Sequence, residues 1–293
     1  MLPRAYEYSE VHMGLPVRIV LYASDEARAR AAAGAAFERI AALDRMMSDY
    51  RPDSELRRLE QHYDEWTPAS PELFDVVERA VSIARASDGA FDPSVAPLVA
   101  LWREARKTRR LPDASALDAA RALVGWRRIG LDRTDQTICL RPGTRLDLGG
   151  IAKGYILQEG LKILRSHGVD RALLEAGGDI MAGAAPPGRD GWSVETPSTD
   201  RAFRERARAL TNVAIATSGA SAQFVEIDGV RYSHVIDPHT GYGLTNHFVA
   251  HVIAPDAADA DALATALTVM GPEKSRKLLG MFPGAVASIE RER

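Results

Sequence analysis

The sequence predicts an α+β fold in which mixed or antiparallel sheets pack against helices. Three observations support this prediction. Segments typical of strands occur in hairpin-like pairs, segments with helical periodicity lie between them at uneven intervals, and no fixed-period repeat is present. A doubly wound parallel sheet would instead require regular alternation of strands and helices. The length of 293 residues allows one large domain or two modest ones.

The first half of the chain contains one apolar strand segment followed by helices. Val11 to Tyr22 is rich in β-branched and apolar residues, which is typical of a strand. Ser24-Asp25-Glu26 supplies a helix cap, and the Ala-rich segment that follows, to about Met47, places its apolar side chains on one face. Pro71 begins a second helix that ends at Ser87-Asp88-Gly89. The other predicted elements of this half are a helix over about 114–123 and a hairpin formed by 126–129 and 137–140.

In the second half, glycine-rich turns separate strands and two helices. Gly149-Gly150 leads into a helix from about Ile151 to His167, and Asp259 to Met270 predicts another helix beside the last long strand. The charged segment Thr196 to Arg208 is expected to lie on the surface as irregular structure. The predicted strands of this half are 172–174, 180–182, 212–216, 223–227, 232–236 and 248–253.

The composition excludes several classes of protein. Lys and Arg number 37 and Asp and Glu number 40, so the formal charge is −3, which argues against a dedicated nucleic-acid binder. The single cysteine, Cys139, rules out an intrachain disulfide and a cysteine-cluster zinc site. No apolar run is long enough to span a membrane, and the N-terminal segment lacks the layout of a signal peptide. As written, the sequence therefore predicts a cytoplasmic location, and a periplasmic or lipid-anchored location stays open.

A first candidate site is the segment Asp147-Leu148-Gly149-Gly150-Ile151-Ala152-Lys153 at a predicted helix start. The two glycines allow the backbone to approach a ligand closely, and a helix N-terminus offers amide donors. Lys153 adds a point charge suited to a phosphate. The spacing matches neither the Walker A motif nor the dinucleotide-binding motif, so a capped helix with a surface lysine is the alternative.

A second candidate is the pair Asp261 and Thr265, which are four residues apart in a predicted helix and therefore share a face. Carboxylate and hydroxyl oxygens are hard ligands suited to Mg²⁺. The alternative is a solvated aspartate and a threonine whose hydroxyl bonds to the backbone of the preceding turn.

A third candidate is the segment Ser233 to Tyr242 at the exit of a predicted strand. His234 could carry a proton because the unperturbed pKa of histidine lies near neutrality. Asp237-Pro238 followed by Thr240-Gly241 predicts a turn that holds polar side chains. A structural histidine in a hydrogen-bonded turn is the alternative.

Three further segments have ordinary explanations when each is considered alone. Ser87 to Ser94 is typical of a helix end followed by a turn, and Ala216 to Gly219 of a tight turn. Met46 to Tyr50 is typical of apolar packing at the end of a long helix.

Taken together and in order, these segments resemble the FAD:protein FMN transferase (ApbE) family. The resemblance begins at Met13-Gly14 and continues through MSDYRPDSEL, SDGAFDPSVAPL, DLGGIAKGY, EAGGDI, ATSG and HVIDPHTGYG to ADALATAL. It implies an ApbE-like α+β fold, a single domain over residues 1–293 and a site in a central cleft. It further implies that FAD is the substrate, that Mg²⁺ assists, and that FMN is transferred to a Thr or Ser hydroxyl of a target protein with release of AMP.

The resemblance also implies roles for individual residues. His234, or Asp237 beside it, is the candidate for accepting the proton of the attacking hydroxyl. The expected contacts to FAD are made by Met13, Tyr50, Ala90, Phe91, Asp92, Asp147, Lys153 and Val235. The expected Mg²⁺ ligands are the Asp261 carboxylate, the Thr265 hydroxyl and the Gly150 carbonyl, with Ala264 beside them.

Two other functions remain open from the sequence. A Mg²⁺-dependent FAD pyrophosphatase would use water as the acceptor and release FMN and AMP, whereas a non-catalytic flavin-binding protein would need only the nucleotide pocket. Tyr50 favours transfer, because by resemblance an aromatic residue at this position accompanies transferases. The expected protein partner carries a Ser/Thr flavinylation motif and is a membrane-linked redox subunit.

The sequence departs from the usual family pattern at several places. Leu15-Pro16 follows Met13-Gly14 where threonine is usual, and Ser94 stands where threonine is commoner. Ala220-Ser221 follows ATSG in place of the frequent Asp-Tyr, and Gly243 replaces a frequent proline. The first and third departures bear on how FAD or the acceptor is held.

Overall fold

A seven-stranded antiparallel sheet runs through the part of the chain that the structure, a computed structural model, describes: residues 3–219 and 223–291. The strands of the chain are β1 (Arg4–His12), β2 (Leu15–Ala23), β3 (Thr67–Pro68), β4 (Ile129–Asp132), β5 (Thr137–Leu140), β6 (Ala172–Ala176), β7 (Asp179–Ala182), β8 (Val213–Gly219), β9 (Phe224–Ile227), β10 (Val230–Ser233), β11 (Phe248–Ala254) and β12 (Val286–Arg291). The large sheet has the order β1-β2-β6-β7-β8-β11-β12. The small sheets are β3-β5-β4 and the hairpin β10-β9.

Helices cover this sheet and connect its strands. They are α1 (Glu26–Met47), α2 (Glu55–Leu59), α3 (Pro71–Ala86), α4 (Ala96–Thr108), α5 (Ala114–Arg121), α6 (Ala152–Ser166), α7 (Arg201–Ala207) and α8 (Ala257–Leu279), with a short 3₁₀ turn at Trp126–Arg128. Side chains of the cap residues fix several starts: Asp25 accepts from the Arg28 amide, and Ser70 accepts from the Leu73 amide.

Alternate residues of the sheet strands serve two separate cores. Leu174 of β6 packs into the main core together with α1, α6 and α8, whereas its neighbour Leu173 belongs to a smaller core with Phe203 of α7. This division follows from strand geometry, since successive side chains point to opposite faces. The sheet is therefore covered on both faces, and its central strands are buried.

Helices α6 and α8 pack at unusually short range, because Gly154 lacks a side chain. A Cβ atom at Gly154 would lie 1.9 Å from the carbonyl oxygen of Ala257. The two helix N-terminal regions therefore meet backbone to backbone. This contact brings Lys153 of α6 within reach of Asp261 in α8.

A third apolar cluster lies beside the sheet and joins α4, α5 and the hairpin β9–β10. Leu98 and Trp102 of α4 pack there with Val225 of β9 and Ile236. The Trp102 indole N–H donates to the Gly241 carbonyl at 2.7 Å, which ties α4 to the turn after His234. This cluster therefore fixes the position of the segment that contains His234 relative to α4.

The structure corrects several predicted elements. Val11 to Tyr22 is not one strand, since β1 and β2 form a hairpin whose turn residues Met13 and Gly14 have φ values of 54° and 71°. Trp126–Arg128 is a 3₁₀ turn before β4, and β10 ends at Ser233, so residues 234–236 lie outside it. The segment 196–208 is not irregular throughout, because it contains α7 with Phe203 buried.

The final helix is longer than predicted. It begins at Ala257 and extends to Leu279, and its backbone is interrupted at Gly271, which has φ 70° and ψ 173° and precedes Pro272. The predicted end at Met270 coincides with this kink. Within the described residues, no helix is both long enough and apolar enough to span a membrane.

Candidate functional site

Lys153 lies at the centre of a buried ionic cluster. Its Nζ donates to Asp261 Oδ1 at 3.1 Å and also to the Asp179 carboxylate. The backbone N–H of Gly154 donates to the other oxygen of Asp261 at 3.3 Å, and Asp179 Oδ1 accepts from the Thr217 amide at 3.2 Å. The ammonium group of α6 thus joins carboxylates of β7 and α8, and β8 supports one of them through the Thr217 amide.

Burial raises the free-energy cost of any uncompensated charge in this cluster. Asp179 and Asp261 are both almost inaccessible to solvent. Burial and the nearby Asp261 carboxylate raise the pKa of Asp179. Burial acts to lower the pKa of Lys153, but the two carboxylates outweigh it and raise that pKa, so the lysine stays charged. Two carboxylates face one ammonium, which leaves one negative charge uncompensated in a poorly solvated place.

A second group of predicted site residues contains Gly150, Thr265 and Phe91. A Cβ atom built on Gly150 would be 3.1 Å from Thr265 Oγ1 and 3.2 Å from the Phe91 ring, so the Gly150 backbone, Thr265 and Phe91 are close neighbours. Asp261 lies one turn before Thr265 in α8, and Ala264 between them is buried. The carboxylate, hydroxyl and backbone carbonyl are hard oxygen donors of the kind that Mg²⁺ prefers, and the unpaired negative charge suits a cation.

This donor set contains one carboxylate, so it differs from a cluster of histidine, cysteine and acidic ligands. No group of three such residues that could hold a metal ion occurs in residues 3–219 and 223–291. The residues nevertheless fit Mg²⁺, because this ion is commonly held by one or two carboxylates and completes its shell with water and substrate phosphates.

The loop at the end of α3 is fixed around a buried carboxylate. Asp92 Oδ1 accepts from the Ser94 hydroxyl at 2.6 Å, and Oδ2 accepts from the Trp126 amide at 2.8 Å. The Ser94 hydroxyl in turn accepts from the Gly125 amide at 2.7 Å. Burial raises the pKa of Asp92, and these hydrogen bonds oppose the shift. Ala90 and Phe91 are buried in the same loop.

Asp147 lies across from α4 and shares an arginine with Asp49. Asp147 Oδ1 accepts from the Gly149 amide at 2.8 Å, and Oδ2 is 3.8 Å from Arg103 Nη2. The same Nη2 donates to Asp49 Oδ2 at 2.6 Å. Burial raises the pKa of Asp147, and the neighbouring Asp49 adds to this shift.

Tyr50 follows Asp49 and is 77% exposed. The guanidinium carbon of Arg103 lies 4.5 Å from the centre of the Tyr50 ring. Met13 sits in the β1–β2 turn, where its backbone N–H donates to Asp44 Oδ2 at 2.8 Å. That hydrogen bond ties the turn to α1.

His234 is held in one tautomer. Its Nδ1 is 3.1 Å from the Gln223 carbonyl oxygen, which also accepts from the His234 backbone N–H at 2.9 Å. A carbonyl can only accept, so Nδ1 carries the proton and Nε2 of the neutral ring keeps its lone pair. Although the side chain reaches solvent, desolvation by the surrounding protein lowers the pKa of His234, and the charges of Arg106 and Lys153 lower it further.

Asp237 closes the turn that follows. Its Oδ1 accepts from the His239 amide at 2.9 Å, and its Oδ2 accepts from the Thr240 hydroxyl at 3.2 Å. Val235 is buried, and its carbonyl accepts from the Leu244 amide at 2.9 Å. Both oxygens of Asp237 therefore stabilise the turn.

The structure brings several of the predicted residues together. Lys153 contacts Asp261, and the backbone of Gly150 lies beside Thr265 and Phe91. Met13 and Asp237 instead make their hydrogen bonds within their own turns or to α1. Two cavities of about 300 and 230 Å³ are lined by residues of α1, α2, α3 and the neighbouring loops, and neither lining includes a predicted site residue. The convergence of side chains, rather than cavity size, defines the site.

Two residues of the site were missed by the sequence-based assignment of roles. Asp179 could have been noticed, because a carboxylate at the start of the apolar segment Asp179–Ala182 requires a buried partner. Arg103 gave no comparable signal, since it lies in α4, which the sequence pattern did not predict.

Solved structures of flavin transferases share this fold. The match to the apo form of the flavinyl transferase ApbE from Pseudomonas stutzeri has a TM-score of 0.86 at 28% identity, covering 100% of this chain and 93% of that one. The match to the ApbE protein of Thermotoga maritima has a TM-score of 0.84 at 31% identity, covering 99% and 97%. The fold is therefore that of the flavin transferase class.

Sequence relatives define the family more closely. A protein of Treponema pallidum named FAD:protein FMN transferase is 33% identical, covering 97% of this chain and 84% of the relative. One of the same name from Vibrio cholerae is 36% identical, covering 78% and 70%. The model of the ApbE family matches residues 13–289 of this chain. The chain belongs to the ApbE family, as its sequence resemblance predicts.

Proposed function

We propose that this protein transfers FMN from FAD to a Thr or Ser hydroxyl of an acceptor protein and releases AMP. The observation that carries the proposal is the ionic cluster in which Lys153 holds Asp179 and Asp261 beside the oxygen donors of Gly150 and Thr265. This arrangement places uncompensated negative charge beside oxygen donors, which suits a divalent cation, and a divalent cation supplies the charge neutralisation that diphosphate cleavage needs. The names of the relatives support the same reaction.

Asp261, Thr265 and the Gly150 carbonyl would hold Mg²⁺, with buried Ala264 packed beside them. When bound, Mg²⁺ supplies charge neutralisation and polarisation of the diphosphate oxygens. Lys153 is held in place by its two carboxylate partners, and its ammonium group is proposed to contact FAD. The loop of Ala90, Phe91 and Asp92 is proposed to contact FAD, together with Met13, Tyr50, Asp147 and Val235.

His234 is proposed to be the general base. Its Nε2 would accept the proton of the attacking hydroxyl, because Nδ1 is committed to the Gln223 carbonyl. The hydroxyl oxygen then forms a bond to the FMN phosphorus, while the bond from that phosphorus to the bridging oxygen breaks and AMP leaves with the electron pair. Asp237, whose oxygens accept turn hydrogen bonds, is proposed to position the segment after His234.

The second candidate function is hydrolysis of FAD to FMN and AMP by the same groups. The exposure of Tyr50 is the observation that favours hydrolysis as an alternative. An exposed ring limits the access of water only if it is held over the site. In a non-catalytic flavin-binding protein, by contrast, FAD would remain intact.

The deciding experiment incubates the protein with FAD, Mg²⁺ and a threonine-bearing acceptor peptide, and measures peptide mass, free FMN and AMP. We expect peptide that carries covalently bound FMN, with AMP in equal amount. Free FMN and AMP without modified peptide would establish hydrolysis, and unchanged FAD would establish simple binding. A peptide in which alanine replaces the threonine is the matched control.

The acceptor is proposed to be a membrane-linked redox subunit with a Ser/Thr flavinylation motif. Co-expression with candidate subunits, followed by mass spectrometry, would test this. An acceptor that gains the mass of FMN at a Ser or Thr supports it, and the absence of modified candidate subunits beside a modified unrelated protein would contradict it.

A further inference from the structure

We propose that Arg103 is a positioning residue that sets how FAD turnover is divided between the acceptor hydroxyl and water. This inference rests on the proposed transfer reaction. Arg103 would act through Tyr50, whose ring it holds, and through Asp49 and Asp147, whose charges it balances.

The contact between Arg103 and Tyr50 is the first line of support. The guanidinium carbon lies 4.5 Å from the ring centre, which is the geometry of a cation–π stack. The Tyr50 ring is 77% exposed, so little of it is fixed by burial. Within the described part of the chain, the Tyr50 ring stacks on the Arg103 guanidinium and on no aromatic ring. The orientation of this ring therefore depends on the arginine.

The second line of support is that the arginine is itself held in place. Arg103 Nη2 donates to Asp49 Oδ2 at 2.6 Å and lies 3.8 Å from Asp147 Oδ2. Arg57 adds a hydrogen bond from Nε to the Asp49 carbonyl at 3.0 Å. A guanidinium anchored by carboxylates presents a fixed planar face, to which the Tyr50 ring can adapt.

The positive charge of Arg103 has a second effect, on the binding of FAD, which an experiment can distinguish from stacking. Asp49 and Asp147 are like charges that act on one another, and Arg103 lies against both. Without it, the charges of Asp49 and Asp147 would be unbalanced beside the proposed FAD contacts Tyr50 and Asp147, and the negatively charged FAD would bind more weakly. Stacking thus controls the division between transfer and hydrolysis, whereas charge controls the KM for FAD.

The test compares Arg103→Gln and Arg103→Lys in the peptide assay, using the ratio of free FMN to FMN-modified peptide. Lysine keeps the charge but loses the planar stacking face. We expect Arg103→Lys to raise the ratio about two- to fivefold with little change in the KM for FAD. Arg103→Gln should raise the ratio similarly and also raise that KM about three- to tenfold.

A double-mutant cycle with Tyr50→Ala separates positioning from general disturbance of the fold. If Arg103 acts through the ring, Arg103→Lys should not change the ratio further once the ring is absent. The matched control is Arg291→Gln, which removes an arginine of the edge strand β12 that lies 5.3 Å from the ring centre of Phe248 in β11. This control should leave both the ratio and the KM unchanged.

Each outcome decides the proposal. A folded Arg103→Lys variant with the wild-type ratio would overturn the role of Arg103, even if Arg103→Gln fails to fold. An equal change of the ratio in the presence and absence of the Tyr50 ring would also overturn it. Wild-type protein that forms no modified peptide at all would instead refute the transfer reaction, and with it the division that Arg103 is proposed to set.

Discussion

Lys153 allows two carboxylates to remain together in the interior, and this single residue decides the electrostatics of the site. Asp179 and Asp261 are buried, and each would be costly to keep charged without a partner. A buried ion pair is weak evidence for stability, because desolvation offsets much of the attraction. This is a reason for our proposal that the cluster serves ligand binding.

The metal ligands and the base should differ in their effect on the rate. We expect Asp261→Ala to reduce FMN transfer more than His234→Ala, because general-base assistance contributes about 10²–10⁴-fold, whereas loss of the metal site removes charge neutralisation of the diphosphate. Rates at several Mg²⁺ concentrations, with circular dichroism to confirm folding, provide the measurement. A milder defect in Asp261→Ala would reverse this ranking.

The pKa of His234 predicts the acid side of the pH profile. Since this pKa is lowered from 6.5, the neutral ring persists to lower pH than in an ordinary histidine. We expect the rate of transfer to fall on acidification with a midpoint below pH 6.5, as Nε2 becomes protonated. Initial rates between pH 5 and 8 should show this limb in the wild type and not in His234→Ala. A limb that survives in the variant would assign the titration to another group.

At the scale of elements, the contact of α6 with α8 places the lysine opposite its carboxylates. The contact depends on Gly154, where a Cβ atom would lie 1.9 Å from the Ala257 carbonyl oxygen. The atom it would meet belongs to the backbone, so neither helix can accommodate it by rotating a side chain. The position of Lys153 relative to Asp261 is thus coupled to a glycine that bears no functional group.

We expect Gly154→Ala to destabilise the protein by about 3 kcal/mol or more, because the two helices must separate. The matched control is Gly34→Ala in α1, where a Cβ atom would meet nothing within 4 Å. That change should stabilise by about 0.5–1 kcal/mol through helix propensity alone. Urea unfolding monitored by circular dichroism gives both values, and equal effects at the two glycines would contradict the packing argument.

Elements with strong local signals were predicted well, and those defined by tertiary contacts were not. The predicted bounds of helices α1 and α3 agree closely with the structure, since the N-cap residues Asp25 and Ser70 indicate where these helices begin. Helix α4 was missed, because the interaction that fixes it is the contact of Trp102 with the distant Gly241 carbonyl. The sequence predicts strand at the β1–β2 turn, because Met13 is not a residue typical of positive φ.

At the scale of the whole molecule, the family and fold could be predicted because ordered motifs extend along nearly the entire chain. Residues 13–289 match the family, and the sheet contains strands from β1 to β12. The contacts within the site could not be predicted, since they depend on how distant elements meet. The departure at Ser94 illustrates this: its hydroxyl, a group that threonine shares, makes the bonds to Asp92 and Gly125. The departure at Ala220-Ser221 lies outside the described residues.

The seven-stranded sheet supports treating residues 1–293 as one domain, which we propose on this ground. Strands β6, β7 and β8 form its centre. The outer strands β1 and β2 lie near the start of the chain, and β11 and β12 lie near its end. Removing a segment from either end would therefore uncover the edge of a shared sheet and would not release a separate unit.

The positions of β1 and β12 at opposite edges also limit how the chain could be rearranged. The seven strands of the sheet define six spacings, and at about 4.8 Å each the outer strands lie roughly 29 Å apart. The register also places Arg4 and Arg291 at opposite ends of the sheet along the strand direction. A circular permutant that joins the region of Arg4 to that of Arg291 would therefore need a connecting peptide longer than the about nine residues that the lateral spacing alone requires. We expect shorter connections to yield insoluble protein and longer ones to fold, as expression trials with graded peptide lengths would reveal.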